Sequence, residues 1–159
     1  MRVLDIMRGT TVDGPGFRTS IYLAGCEHRC SGCHNPQSWD FSAGKEMTEA
    51  EILQIVAEED FDVTFSGGDP MYHPEEVRQL AIKIHDLGHN IWLYTGFTWE
   101  ELIKNADLAH VLPEIDVIVD GPFIEKYRDP DLLFRGSANQ RIIDVAKSLE
   151  AGIPVDWIR

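Results

Sequence analysis

The stretch LAGCEHRCSGCHNP, residues 23–36, holds all three cysteines of the chain, Cys26, Cys30 and Cys33. An odd number of thiols cannot close a disulfide framework, and the opening MRVLDIMRGT lacks the apolar run of a secretory signal. The expectation is therefore a cytoplasmic protein with reduced thiols and a metal held in this loop. The spacing Cys-x3-Cys-x2-Cys leaves three chemistries open. Structural zinc would recruit His34 or His28 as a fourth ligand, although zinc modules usually draw ligands from two separated knuckles and here all the thiols share one loop. A redox pair of Cys30 and Cys33 would leave the third thiol idle. An iron–sulfur cubane normally takes four thiolates, so three of them leave one iron open to another ligand.

Working outward, 159 residues with 43% hydrophobic content suffice for one packed domain and leave little for a second, so residues 1–159 are expected to form a single unit. Lys and Arg total 14 against 27 Asp and Glu, a net charge of −13 that repels a phosphate backbone and argues against nucleic acid as a partner. No window reaches the roughly 20 apolar residues of a membrane span. No repeat, low-complexity tract or Pro/Gly/Ser linker divides the chain.

Short β-rich runs alternate with helical ones, the α/β signature. VLDIM, RTSIYL, DVTFSG, NIWLYTG, IDVIVDG and IPVDWI read as strands. TEAEILQIVAEE opens on a Thr48/Glu51 capping box, and WEELIKN follows a second one at Thr98/Glu101. PEEVRQLAIKIHDLG sets Val77, Leu80, Ala81, Ile84 and Leu87 on one face before Gly88, and NQRIIDVAKSLEAG reads as a last helix. A closed βα barrel typically needs about 250 residues, so about six strands here predict an open, partial (βα) barrel or sheet with ligands at the carboxyl ends of its strands. The cysteine loop, SGGDP, YTG and DGPF all fall at such ends.

With those residues set out, CEHRCSGCHNP resembles the cluster loop of radical S-adenosylmethionine (SAM) enzymes, which implies a [4Fe-4S] cluster on Cys26, Cys30 and Cys33 with SAM on the open iron. Many relatives carry an aromatic residue before the last cysteine, where this chain has Gly32. Alone, SGGDP would be a strand-to-loop turn; beside such a loop it is similar to the Gly-Gly-Glu-Pro element that binds the SAM amino group, with Asp69 replacing Glu. The likeness thus implies cofactor-binding roles for Gly67, Gly68, Asp69 and Pro70, and the strand-end positions Thr95, Gly96 and Asp120 are taken to line the same pocket. VDGPGFR, residues 12–18, resembles an element of glycyl-radical activating enzymes. DVIVDGPF and RDPDLLFRGSANQRII resemble the closing half of the activating proteins of anaerobic ribonucleotide reductases.

That family implies one-electron cleavage of SAM to a 5′-deoxyadenosyl radical, which abstracts hydrogen from a glycine Cα near the C-terminus of the large reductase subunit. Glycine suits such a target because an extended loop exposes its unsubstituted Cα. With all three thiols used, no second cluster can be held by cysteine, so an external one-electron donor is expected. Three alternatives stand beside this reading: activation of another glycyl-radical enzyme such as pyruvate formate-lyase, a zinc-stabilised binding module without catalysis, and a radical SAM enzyme for a small purine-like molecule. Elsewhere, Arg135, Asn139, Gln140 and Arg141 are polar in a region suited to substrate. His73, His85, His89 and His110 lack ligand spacing, Trp39 is expected to pack over the loop, and Trp92 and Tyr94 are expected to face core.

Overall fold

The computed structural model describes residues 1–159. Seven strands form one sheet: β1 (Arg2–Thr10), β2 (Arg18–Leu23), β3 (Lys45–Glu46), β4 (Asp62–Gly67), β5 (Ile91–Tyr94), β6 (Val117–Asp120) and β7 (Arg141–Asp144). Their spatial order is β3-β1-β2-β4-β5-β6-β7. The central strands β2, β4, β5 and β6 run parallel, while β1, β3 and β7 pair antiparallel at the flanks. The end strands β3 and β7 do not meet, so the sheet is open.

The parallel segment follows from its connections. Helices α1 (Glu49–Glu59), α2 (Pro74–Asp86), α3 (Trp99–Lys104) and α4 (Ala106–Ala109) occupy the crossovers, which parallel pairing requires. Both expected capping boxes form: Thr48 and Thr98 accept from the backbone N–H of Glu51 and Glu101, whose side chains return the bond. Strand residues such as Ile21, Leu23, Val63, Phe65, Leu93 and Ile118 join Val56, Leu80, Ile84 and Leu102 of the helices in one apolar cluster of 24 buried residues. The other sheet face carries a smaller cluster of Trp92, Val117 and Val119, packed against Tyr94, Phe134, Ile142 and Trp157.

Three expectations are corrected. The run NQRIIDVAKSLEAG is not one helix: Ile142 and Ile143 pair with Val119 and Ile118, and α5 (Val145–Ala151) begins only after Asp144, whose side chain accepts from Lys147 N–H. β-Branched residues beside an unpaired strand edge gain more from the ladder than from a helix. IPVDWI is no strand; it makes a single bridge from Asp156 to Ile143 and sets the Trp157 ring edge-on to Trp92, 4.9 Å away. Leu87 caps α2 and lies 45% exposed, because the helical face ends one turn earlier at Ile84 and Gly88 turns the chain away at φ +90°. No helix is long and apolar enough to cross a membrane.

Candidate functional site

The carboxyl ends of β2, β4, β5 and β6 surround a cavity of about 630 Å3, within the range of small-molecule sites. Cys26, Cys30 and Cys33 all line it. Their loop is pinned at its base: Gly25 and Cys26 donate backbone bonds to Ser38 and Trp39 (2.8 and 3.3 Å), and Asp69 N–H donates to Gly25 (2.9 Å). Between the cysteines the backbone turns tightly, with Arg29 at φ +50°, Gly32 at φ +76° and a Cys33 N–H bond to the Cys30 carbonyl. The Arg29 guanidinium lies 5.4 Å from the centre of the Trp39 ring, so Trp39 braces the loop and also faces the cavity.

Burial pushes the Cys26 and Cys30 thiols up. Backbone N–H groups of His28 and Arg29 at Cys26, and of Phe123 at Cys30, act in the other direction by favouring thiolate. No three His, Cys, Asp or Glu side chains converge as they would around one ion. His28, one of the two imidazoles that could complete a zinc site, has its Nε2 2.7 Å from Asp69 Oδ2. Three thiols thus line the cavity together with His28, which is bonded to Asp69, and His34; three cysteines without a fourth fit a cluster with one position open toward the cavity.

Gly67 and Gly68 line the cavity beside the base of the cysteine loop, and both have to be glycine: a Cβ on Gly67 would lie 2.3 Å from Leu23 N, and one on Gly68 2.5 Å from the Gly25 carbonyl oxygen. Thr95 and Gly96 line it as well. Asp69 and Pro70 do not. Asp69 is wholly buried; Oδ1 accepts from Met71 N–H (2.9 Å), and Oδ2 accepts from Thr95 Oγ1 and Gly96 N–H (2.9 Å each) besides meeting His28. Pro70 is buried at the start of a 3-10 turn, Pro70–Tyr72. Asp120 also lies behind the wall, accepting from Trp99 N–H at 2.7 Å and from Arg141 Nη2 at 2.5 Å, and Gly121 faces the cavity in its place.

The remaining wall comes from residues 121–140. Phe123, Arg128, Phe134, Arg135 and Gln140 line it, while Arg141 is drawn away into ion pairs with Asp120 and Glu100. Asn139 donates to the Pro122 carbonyl. Tyr94 faces the cavity, and its hydroxyl donates to the Phe134 carbonyl at 2.6 Å, whereas Trp92 is core as expected. His73, His85 and His89 are taken up by the Ala24 carbonyl, Asp116 and Asp60 respectively.

Three features were not legible in the sequence. Arg18 of VDGPGFR is buried at the strand ends opposite the cavity, donating to Thr64 Oγ1 and the Val63 carbonyl (2.8 Å each). Asp13 of the same motif lines the cavity and accepts from Tyr22 Oη. Glu125 occupies the space over Gly32, where a Cβ would lie 2.8 Å from its Cδ, and Gly32 itself turns at φ +76°.

A family model described as a 4Fe-4S single cluster domain matches residues 12–143. The chain is 39% identical to the anaerobic ribonucleoside-triphosphate reductase-activating protein of Pasteurella multocida, over 82% of this chain and 89% of that one. It is 41% identical to the protein of that name from Vibrio cholerae, over 82% and 90%. With the one from Haemophilus influenzae the identity is 37%, over 89% and 97%.

Proposed function

We propose, for a chain that belongs to the 4Fe-4S single cluster domain family and to the anaerobic ribonucleoside-triphosphate reductase-activating proteins, that it activates such a reductase as a radical SAM enzyme. Cys26, Cys30 and Cys33 would hold the [4Fe-4S] cluster, and the open sheet is read as a partial barrel of the radical SAM type. When bound, the cluster and SAM together supply a one-electron reductive cleavage whose radical product takes hydrogen from a glycine Cα of the large reductase subunit.

The chain's own residues set the conditions for this chemistry. Backbone N–H groups of His28, Arg29 and Phe123 favour thiolate at two of the ligands, which metal binding requires. Gly67 and Gly68 bring bare backbone to the cavity, suited to the ammonium and carboxylate of an amino acid. Asp69 is assigned to holding the wall, since its oxygens are occupied by Met71, Thr95, Gly96 and His28. Asp120 likewise holds α3 to β7 through Trp99 and Arg141. Tyr127 and Leu133 are 46% and 56% exposed on the segment 121–140 that walls the cavity, and offer apolar surface to a protein partner. Because the cluster would use every cysteine, the electron comes from an external donor, and a reducing cytoplasm suits free thiols.

One observation carries the reading: the chain's three thiols share the wall of a substrate-sized cavity. The test is anaerobic reconstitution with iron and sulfide, then reduction and electron paramagnetic resonance (EPR) with and without SAM, with Cys30→Ala as control. A cubane signal that changes with SAM, followed by a glycyl doublet on mixing with the reductase, is expected. A colourless zinc protein indifferent to SAM overturns it, and a doublet only with pyruvate formate-lyase reassigns the partner.

A further inference from the structure

The geometry points to a positioning role for His28, the middle residue of the first Cys-x3-Cys interval: clamped by buried Asp69, it fixes the orientation of the ligand loop against the strand ends that face SAM. This rests on the cluster reading for the identity of what the loop holds.

Asp69 joins three separate segments through one carboxylate. Met71 N–H binds one oxygen; Thr95 Oγ1, Gly96 N–H and His28 Nε2 crowd the other, at 2.9, 2.9 and 2.7 Å. Thr95 and Gly96 follow β5, Asp69 follows β4, and His28 belongs to the ligand loop. The carboxylate is wholly buried, so its donors all come from the chain itself. The imidazole is seated as tightly as it is bonded. Its ring stands edge-on to Phe97 with centroids 4.6 Å apart and tilted on Tyr72 at 5.4 Å. A Cβ on Gly96 would lie 2.5 Å from the imidazole Cδ2, so glycine at that position is what admits the ring.

The loop needs such an anchor. Directly after His28 the chain takes the left-handed conformation at Arg29, which a side-chain-bearing residue holds only when its surroundings impose it. The His28 clamp lies on one side of that residue, and Cys30, facing Phe123 N–H, on the other. Without the clamp the segment between Cys26 and Cys30 keeps its thiols but loses its angle to Gly67 and Gly68. Misplacements of about 1 Å cost up to about 100-fold where two reactants must meet.

The experiment compares wild type, His28→Ala, His28→Gln and Asp69→Asn after anaerobic reconstitution. Iron and sulfide are counted, and the reduced EPR signal is titrated with SAM. His28→Ala should take up as much iron as wild type, because its three thiols are intact, yet need about 10-fold more SAM for half of the spectral change. His28→Gln, whose amide can still donate to Asp69, should return to within about 3-fold of wild type. His28→Ala added to Asp69→Asn should change little further, since the two act as one unit. A His28→Ala protein that titrates like wild type overturns the proposal, whether or not Asp69→Asn folds. Failure of wild type itself to take up a cluster or respond to SAM would instead sink the cluster reading. The clamp is then decided on the apoprotein by hydrogen exchange at Gly96 N–H and residues 27–34: faster exchange in His28→Ala supports it, and unchanged exchange overturns it.

Discussion

Two walls of one cavity are built on opposite plans. The wall made by the cysteine loop and the ends of β4 and β5 is tied by backbone bonds across strands and by a buried carboxylate, and its glycines sit where any Cβ would strike main chain or the His28 ring. The wall made by residues 121–140 has one short 3-10 turn, Glu125–Tyr127, and a single bridge from Arg128 to Ser137. There Gln140 does the joining, accepting from Gly136 and Ser137 N–H and donating to the Gly121 carbonyl. The difference teaches how labour divides around the cavity. Backbone at the parallel strand ends is locked by non-local contacts, while the segment 121–140 is bonded locally.

Substitutions can break or sharpen this contrast. The greatest effect is expected at a proposed ligand: Cys30→Ala should abolish the cluster chromophore and reduce reductase activation by more than about 100-fold, measured by absorbance and glycyl EPR. Next comes the lock of the first wall, where Asp69→Asn strands buried donors and should cost about 4 kcal/mol in urea unfolding. Gly68→Ala forces a methyl against the Gly25 and Ser38 carbonyls and should cost about 3 kcal/mol. On the second wall, Gly136→Ala meets only the edge of the Phe123 ring, at 3.2 Å, and should stay under about 1 kcal/mol. If Gly136→Ala proved as costly as Gly68→Ala, the contrast between walls would be gone.

The base of the second wall offers a pH test between those extremes. Arg141 ties buried Asp120 to exposed Glu100, and its side-chain bonds hold the Glu100 carboxyl below its ordinary value of 4.5. A depressed carboxylate contributes stability above its unfolded pKa and loses it as pH falls through the folded value. Arg141→Met should cost about 2 kcal/mol at neutral pH, mostly by leaving buried Asp120 without its partner, and the small share from exposed Glu100 should fade below pH 4.5 in acid-unfolding series.

Much of the architecture is legible from local pattern. Thr48 and Thr98 announce their helices because a capping box is completed within four residues, and five of the strands coincide with β-branched runs bounded by turn residues. What pattern misplaces is the chain end, where residues 141–144 carry the apolar content of a helix but are claimed by the open edge of β6. Local propensity cannot register a neighbour that is 23 residues earlier in the chain, as Val119 is to Ile142.

The site divides in the same way. The sequence by itself determined that the three thiols, Cys26, Cys30 and Cys33, share one loop, and thiol chemistry travels with the residue. It also determined that glycines stand at the ends of β4 and β5. Only the tertiary structure decided which side chains face the cavity: Asp69 and Asp120 are turned inward as struts, while Arg135, Gln140 and Asp13 line the space. Only the tertiary structure brought His28 to Asp69, 41 residues away. The physical reason is that a carboxylate's task is set by which donors reach it first, and in a folded chain those donors come from segments that sequence keeps apart.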